Sequence, residues 1–250
     1  AMLTHYVIDL GGQLFAPFCV GFDDFIHDIF PLCLCTFDIV QVIETPRRKG
    51  MMTSTAITCR TAADAADVLA CQTLRHMCFR GTAGVDRSAY DDVSSHVMIM
   101  RGAKLLCTMR LRVFAPHADV TASYTGGFYD FGPFDGPSLE VGRFCIRADA
   151  FSADILRLAW GALTAWVTAH GISHLFGCAS FAGTDPNAYA DAFGLLAAGH
   201  VSNMHIAPQD IDSNPLSAIS SSAIDRKLAQ AQLPPLLRSY LGMGGYVGAD

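Results

Sequence analysis

"SLEVGRFCI", residues 138–146, reads as a strand that carries two opposite charges. Apolar and small residues surround Glu140 and Arg143, the composition of a buried strand. Burying either charge alone would cost several kcal/mol, on the scale of a domain's whole stability. The two therefore form a buried ion pair that pins the strand to a neighbour such as Arg75, or they face a cleft where chemistry uses them. In a regular strand Glu140 and Arg143 point to opposite faces. Gly142 lies between them and can hold a β-bulge, which shifts the register so that both heads reach one cleft.

Working outward, "HVMIM" and "KLLCTMRLRVF" upstream are two apolar runs separated by "RGA", a hairpin signal. Before them, "TAITCR" is a β-branched first strand. "TAADAADVLACQTLRHMCF" is a helix, with Thr61 as N-cap and Asp64 as the acid of a capping box. Residues 115–137 are rich in Pro, Gly and aromatics and read as loop with extended pieces. Downstream, Ser152 caps a helix to His170 with the stripe Ile155, Ala159, Leu163 and Trp166, stopped by Gly171. "SHLFGCASF" is a further strand, Asp185-Pro186 opens another helix to about Gly199, and "LPPLLRSYLGMGGY" is a short amphipathic helix. Strand, helix, hairpin, strand, helix, strand, helix is the order of an α+β chain with a mixed sheet.

Composition bounds the function. Of 250 residues 51% are hydrophobic and 16% charged, which leaves ample material for a core. A net charge of −6 speaks against a nucleic-acid partner. The nine Cys include no CxxC, and Cys33 and Cys35 are too close for an ordinary metal pair. A reduced, cytoplasmic chain with small buried thiols and no metal is the reading. No run is apolar for long enough to span a bilayer.

The first 50 residues stand out. "PRRKGMMTST" around residue 47 back-translates to a purine-rich stretch followed by Met codons, as a ribosome-binding site precedes a start. Translation is therefore expected to begin at Met51 or Met52, with residues 1–50 a poorly packing, non-native extension and residues 51–250 the functional domain.

Four motifs bring a family into view. "QTLRHMCF" (72–79), "AYDDVSSHVMI" (89–99), "LEVGRFCI" (139–146) and "LFGCASFAGTDP" (175–186) resemble, in this order, blocks of the bacterial L-ornithine Nα-acyltransferases, the hemolysin-like branch of the GNAT acyltransferases. "LPPLLRSYLGMGGYVG" (233–248) is similar to their C-terminal block. The helix with Arg75, the loop with Asp91 and the Glu140 strand also resemble the autoinducer synthases, a sister branch. The resemblance covers roughly residues 57–250. It implies a GNAT-like acyl-CoA N-acyltransferase fold, a mixed central sheet with helices on both faces, whose last strand is expected beyond residue 250. It also implies that the first step of ornithine-lipid synthesis is catalysed. Ser88 and Ser95 depart from the family, which often has acids at these places.

Acyl transfer from a thioester to an amine needs a base and donors for an oxyanion, with no bound cofactor. Glu140 is the candidate base, with Arg143 beside it as the second catalytic residue. Arg75 and Arg110 match family arginines and hold either the acceptor's carboxylate or a donor phosphate, or else pair with Asp64 or Asp91. Asp91 binds the cationic side chain of ornithine or caps a turn. Ser180 and Asp185 sit in the most specific block, and Asp185 before Pro186 is also a good helix cap. His96 and His174 read as core residues. The loop "RADAFSAD" (147–154) lacks the glycines of a diphosphate-binding loop and carries Asp149 and Asp154. That favours the phosphopantetheine of an acyl-carrier protein as donor, with Arg147, Arg157 and Arg80 as a docking patch for the acidic partner or simply solvated arginines. Another amino-acid or homoserine-lactone-type acceptor, or a non-enzymatic membrane-associated hemolysin-like module, are the alternatives. An amphipathic product makes peripheral contact with the inner membrane reasonable, with the helix near Leu236 as a candidate contact.

Overall fold

The computed structural model describes residues 2–9, 41–43, 56–202, 206–208, 216 and 224–248. Its strands are β1 (Met2–Asp9), β2 (Gln41–Ile43), β3 (Ile57–Thr61), β4 (Ser95–Arg101), β5 (Lys104–Phe114), β6 (Tyr129–Phe131), β7 (Ser138–Ile146), β8 (His174–Phe181), β9 (Ile206–Pro208) and β10 (Tyr246–Val247). Its α-helices are α1 (Ala65–Arg80), α2 (Ala153–His170), α3 (Ala190–Gly199), α4 (Arg226–Gln232) and α5 (Pro235–Gly242). The described residues fall into two compact units. One lies within Ala1–Gly12, Val113–Val141 and Ile172–Asp250, the other within Gln13–Arg112 and Gly142–Gly171. The sequence suggests a boundary at residue 50. That position lies outside the described residues; the units part within β7, after Val141, so one strand contributes to both.

In the second unit β2, β3, β4 and β5 are paired antiparallel in that order. Gly102, at φ 58°, supplies the left-handed turn of the β4–β5 hairpin. Helix α1 starts later than its sequence suggests. Thr61 is held in β3 opposite Val97, so Asp64 becomes the N-cap and accepts from the Asp67 amide at 2.9 Å. Strand pairing outcompetes the earlier cap. The helix turns its Cys71, Gln72, Leu74 and Arg75 inward. Helix α2 follows its sequence closely: Ser152 accepts from Ile155 N, Ile155, Ala159, Leu163 and Trp166 are buried, and Gly171 ends it at φ 58°.

In the first unit the order is β10, β1, β8, β7. β1 is antiparallel to both β10 and β8. β7 is parallel to β8, in a ladder of Ser138↔His174, Leu139↔Leu175 and Glu140↔Phe176. The sheet is thus mixed. Met2–Asp9 is paired along all of β8, from Met2↔Phe181 to Asp9↔His174. These residues therefore do not stand apart from the fold, whereas the rest of the expected extension, 10–40 and 44–50, lies outside the described residues. β6 and β9 form a separate antiparallel pair. Phe114, Val120, Tyr129, Phe131, Phe134, Phe176 and Ile206 make the core, with the Phe176 ring 5.3–5.7 Å from those of Phe114, Phe131 and Phe134. Such aromatic contacts add about 1 kcal/mol each beyond the area they bury. Among the described residues no helix is long and apolar enough to cross a membrane.

Candidate active site

Gln72 and Arg75 are one turn apart on the buried side of α1. The chain beyond α1 returns through a short 3-10 helix, Ala89–Val93, closed by a capping box: Ser88 Oγ accepts from Tyr90 N, and Asp91 Oδ2 accepts from Ser88 N at 3.0 Å. The box holds Asp91 against Arg75. Arg75 Nη1 and Nη2 donate to Asp91 Oδ1 and Oδ2 at 3.0 and 2.8 Å, and Gln72 Nε2 donates to Oδ2 at 2.9 Å. Arg110, on β5 opposite His96, donates from Nη1 to Asp91 Oδ1 at 3.2 Å and packs over the Tyr90 ring. All of this is buried: Arg75 is 0%, Asp91 5% and Arg110 2% exposed. Burial alone would push the Asp91 carboxyl up. Hydrogen bonds and charge from Arg75, with bonds from Gln72 and Ser88, outweigh that and hold it well below the usual carboxylate range. Burial likewise lowers His96, whose Nε2 lies 3.3 Å from the Asp91 carbonyl.

A second acid extends the network toward solvent. Asp86 Oδ2 lies 3.1 Å from Arg75 Nε and 3.3 Å from Arg143 Nε. Three guanidinium groups thus gather around two carboxylates. The Asp86 end is part-exposed and lines an open depression of ≈ 420 Å³ with His76, Arg80, Thr82, Val85 and Arg87. Arg143 also stacks near the Phe79 ring, 5.9 Å from its centroid.

The irregularity expected at Gly142 sits one residue later. Arg143 has φ 51°, a left-handed conformation in mid-strand that costs a non-glycine residue about 1–2 kcal/mol. The network around Asp86 holds it there.

Glu140 belongs to the other unit and is 4% exposed. Its Oε1 accepts from Thr125 N and Thr125 Oγ1, each at 2.7 Å, and its Oε2 accepts from Tyr124 N at 3.3 Å. The donors belong to a tight 3-10 turn, Thr125–Gly127, braced by the Gly126 amide donating to Ser123 Oγ at 2.8 Å. Only glycine fits at 126, since a Cβ there would lie 2.4 Å from the Val120 carbonyl and 2.6 Å from Thr121 Cα. The ladder between β7 and β8 ends at this same residue, Glu140↔Phe176.

The remaining sequence candidates stand elsewhere. Arg147 donates to Asp149 at 2.9 Å, and Asp149 also accepts from Lys104 at the start of β5 at 2.8 Å, so these exposed charges are paired with one another. Arg157 is likewise paired with Asp154 at 2.9 Å. Ser180 is exposed near the end of β8, and Asp185 caps the 3-10 helix Pro186–Tyr189, accepting from Asn187 N and Nδ2. Among the described residues no group of three His, Cys, Asp or Glu could hold a metal ion. Asp86 and Gln72 in the arginine network, and Tyr124 and Thr125 around Glu140, are not singled out from sequence. Only Gln72 carried a signal, one turn before Arg75 on the same helical face.

Comparison with known proteins gives the class of the chain. An acetyltransferase (GNAT) domain family matches residues 74–161, the span that holds Arg75, Asp86, Asp91, Arg110, Glu140 and Arg143. A GCN5-related N-acetyltransferase from Ralstonia eutropha is similar in structure at TM-score 0.34 and 13% identity, over 48% of this chain and 82% of that one. The chain is an acyltransferase of the GNAT fold. An L-ornithine N(alpha)-acyltransferase of Rhodobacter capsulatus is 29% identical over 76% of this chain and 81% of its own length, and one of Rhizobium meliloti 27% over 76% and 72%. The chain is thus similar, along about three quarters of its length, to proteins named L-ornithine N(alpha)-acyltransferase.

Proposed function

We propose that this enzyme moves a 3-hydroxyacyl chain from the phosphopantetheine thioester of an acyl-carrier protein to the α-amine of ornithine. The observation that carries the reading is the likeness to relatives named for ornithine acylation along three quarters of the chain. The site's chemistry is compatible with it. The acceptor amine must lose a proton before or as it attacks the thioester carbonyl. Glu140 takes that proton, directly or through one water. Oε1 already accepts two short bonds and Oε2 a single long one, so Oε2 is the oxygen with capacity left. The proton then leaves with the thiolate of the carrier arm, and no covalent enzyme intermediate forms.

The guanidinium groups of Arg75, Arg110 and Arg143, gathered in one unit, are of the kind that hold a carboxylate or a phosphate, and the reaction supplies both. Asp91, with five donors upon it, serves the network and not the ornithine side chain. The donor assignment is supported by the 147–154 loop. It has no glycine, and Asp149, held well below the usual carboxylate range by Arg147 and Lys104, keeps negative charge where a diphosphate would bind. The test is to incubate the full chain with 3-hydroxyacyl carrier protein or with 3-hydroxyacyl coenzyme A, and a panel of amino acids. Thiol release dependent on ornithine and on carrier protein is expected. Equal turnover with coenzyme A refutes the donor assignment, and preference for another amine refutes the acceptor.

A further inference from the structure

Helix α1 turns a second face outward. Leu69, Thr73, Met77 and Arg80 recur at spacings of four, four and three, so they form one stripe along the helix, and all four are exposed. Leu69 is 44% and Met77 47% exposed. The loop after the helix extends the stripe. Gly81 closes α1 at φ 70°, the Asp86 amide donates to the Gln72 carbonyl at 3.1 Å, and Thr82 Oγ1 lies 3.2 Å from His76 Nε2. A Cβ at Gly84 would lie 2.5 Å from the His76 ring, so the loop is laid closely on the helix. These ties place Val85, itself 44% exposed, and Arg87 with Arg80 around the open depression of ≈ 420 Å³.

Charge distinguishes this face. Several surface cations of the same unit are paired: Arg60 with Asp67, Lys104 and Arg147 with Asp149, and Arg157 with Asp154. Asp86, the acid that lines the depression, is taken by Arg75 and Arg143. Arg80 and Arg87 are exposed, and neither makes a hydrogen bond or ion pair with any of the described residues. Arg80 suits the negative end of the α1 dipole, but Arg87 lies in a loop and has no such reason. Apolar side chains and positive charge that none of the described residues meets thus share one face, the composition of a surface that binds an acidic protein. The acceptor suits it poorly, since ornithine itself carries a net positive charge.

We propose, resting on the donor reading above, that Leu69, Met77, Arg80, Val85 and Arg87 form the docking surface for the acidic acyl-carrier protein. The two guanidinium groups meet carboxylates of the carrier, and Leu69, Met77 and Val85 supply the apolar contact. Arg147 and Arg157, grouped with Arg80 from sequence, have their charge met within the chain and do not contribute.

The test compares the full chain with its Arg80→Glu/Arg87→Glu variant on two donors, 3-hydroxyacyl carrier protein and 3-hydroxyacyl pantetheine, which lacks the protein. With carrier protein at low salt, the KM of the variant is expected to rise by about tenfold or more, while kcat and the KM for ornithine stay within about twofold. The gap is expected to close as salt rises toward about 1 M, where screening acts within about 3 Å. With the pantetheine donor the two proteins are expected to match. Met77→Ser is expected to raise the carrier KM without that salt dependence. An unchanged carrier KM in the double variant overturns the proposal. An equal loss with both donors also overturns it, since the arginines would then serve the reacting groups. A wild type that uses the pantetheine donor but not the carrier protein refutes the donor reading itself, and the surface with it. A last arm sediments both proteins with phosphatidylglycerol vesicles. Vesicle binding that the variant loses, with its carrier KM unchanged, makes the face a membrane contact and overturns the proposal.

Discussion

Replacing Asp91 with Asn is the sharpest probe of the buried network. The substitution keeps the shape and removes the charge on which five donor groups converge: two from Arg75, and one each from Arg110, Gln72 and Ser88. It also turns an amide N–H toward guanidinium donors. Breaking a buried ion pair by deleting one partner costs about 3–5 kcal/mol. Arg75 keeps Asp86, so the loss is set at the low end, about 3 kcal/mol. With a urea slope of about 3 kcal/mol/M for a chain of this size, the midpoint falls by about 1 M. The assay is urea unfolding followed by circular dichroism, with the slope compared between the two proteins. The pH dependence has a definite sign. The Asp91 carboxyl is held below its unfolded value of about 3.9, so its contribution is whole above that pH and fades as pH falls further. The gap between wild type and variant should stay constant from pH 7 to about 5 and narrow only below about 4. A variant within about 1 kcal/mol of wild type at pH 7 would mean that Asp91 is not the hub described.

Other positions give independent outcomes. Glu140→Gln should lower ornithine-dependent thiol release by about 10²-fold or more with the circular dichroism spectrum retained. Wild-type rates across the pH range would remove Glu140 from the reaction. Gly126→Ala forces backbone apart beneath the Glu140 turn and should cost about 1–3 kcal/mol, read as a lower Tm. Asp67 is lowered to about 2 by the Arg60 hydrogen bonds and the Ala63 amide, in a pair that is 39% and 18% exposed. Solvent screening limits Asp67→Asn to about 1 kcal/mol or less, a difference that shrinks in salt and, in wild type, is lost between about pH 4 and 2.

Much of the fold is legible in residue types. Helix α2 announces its cap, its stripe and its stop, and the β4–β5 hairpin is marked by Gly102 between two apolar runs. The start of α1 is harder to read because Thr61 and Asp64 are both good caps, and a strand partner decides between them. Within the site, Arg75, Asp91 and Arg110 stand out as charges among apolar neighbours, so burial and pairing can be anticipated. The partners are another matter. Asp86 lies in a polar loop with no periodicity, and only the fold brings it to two arginines. Two of the three donors to Glu140 are backbone amides of a distant turn, and an amide has no letter in a sequence. The left-handed residue in β7 is an arginine beside a glycine, the reverse of what local preference suggests, because the network around Asp86 offsets its strain.

The eight-residue pairing of Met2–Asp9 bears on how this enzyme is produced. A shorter chain begun at Met51 would leave β8 with an open edge, its amides and carbonyls unmet from His174 to Phe181, and would part it from β10. Bare edges of that length recruit strands from other molecules. The shortened protein would therefore be prone to self-association through β8, and a soluble monomer would require some other segment to cover that edge.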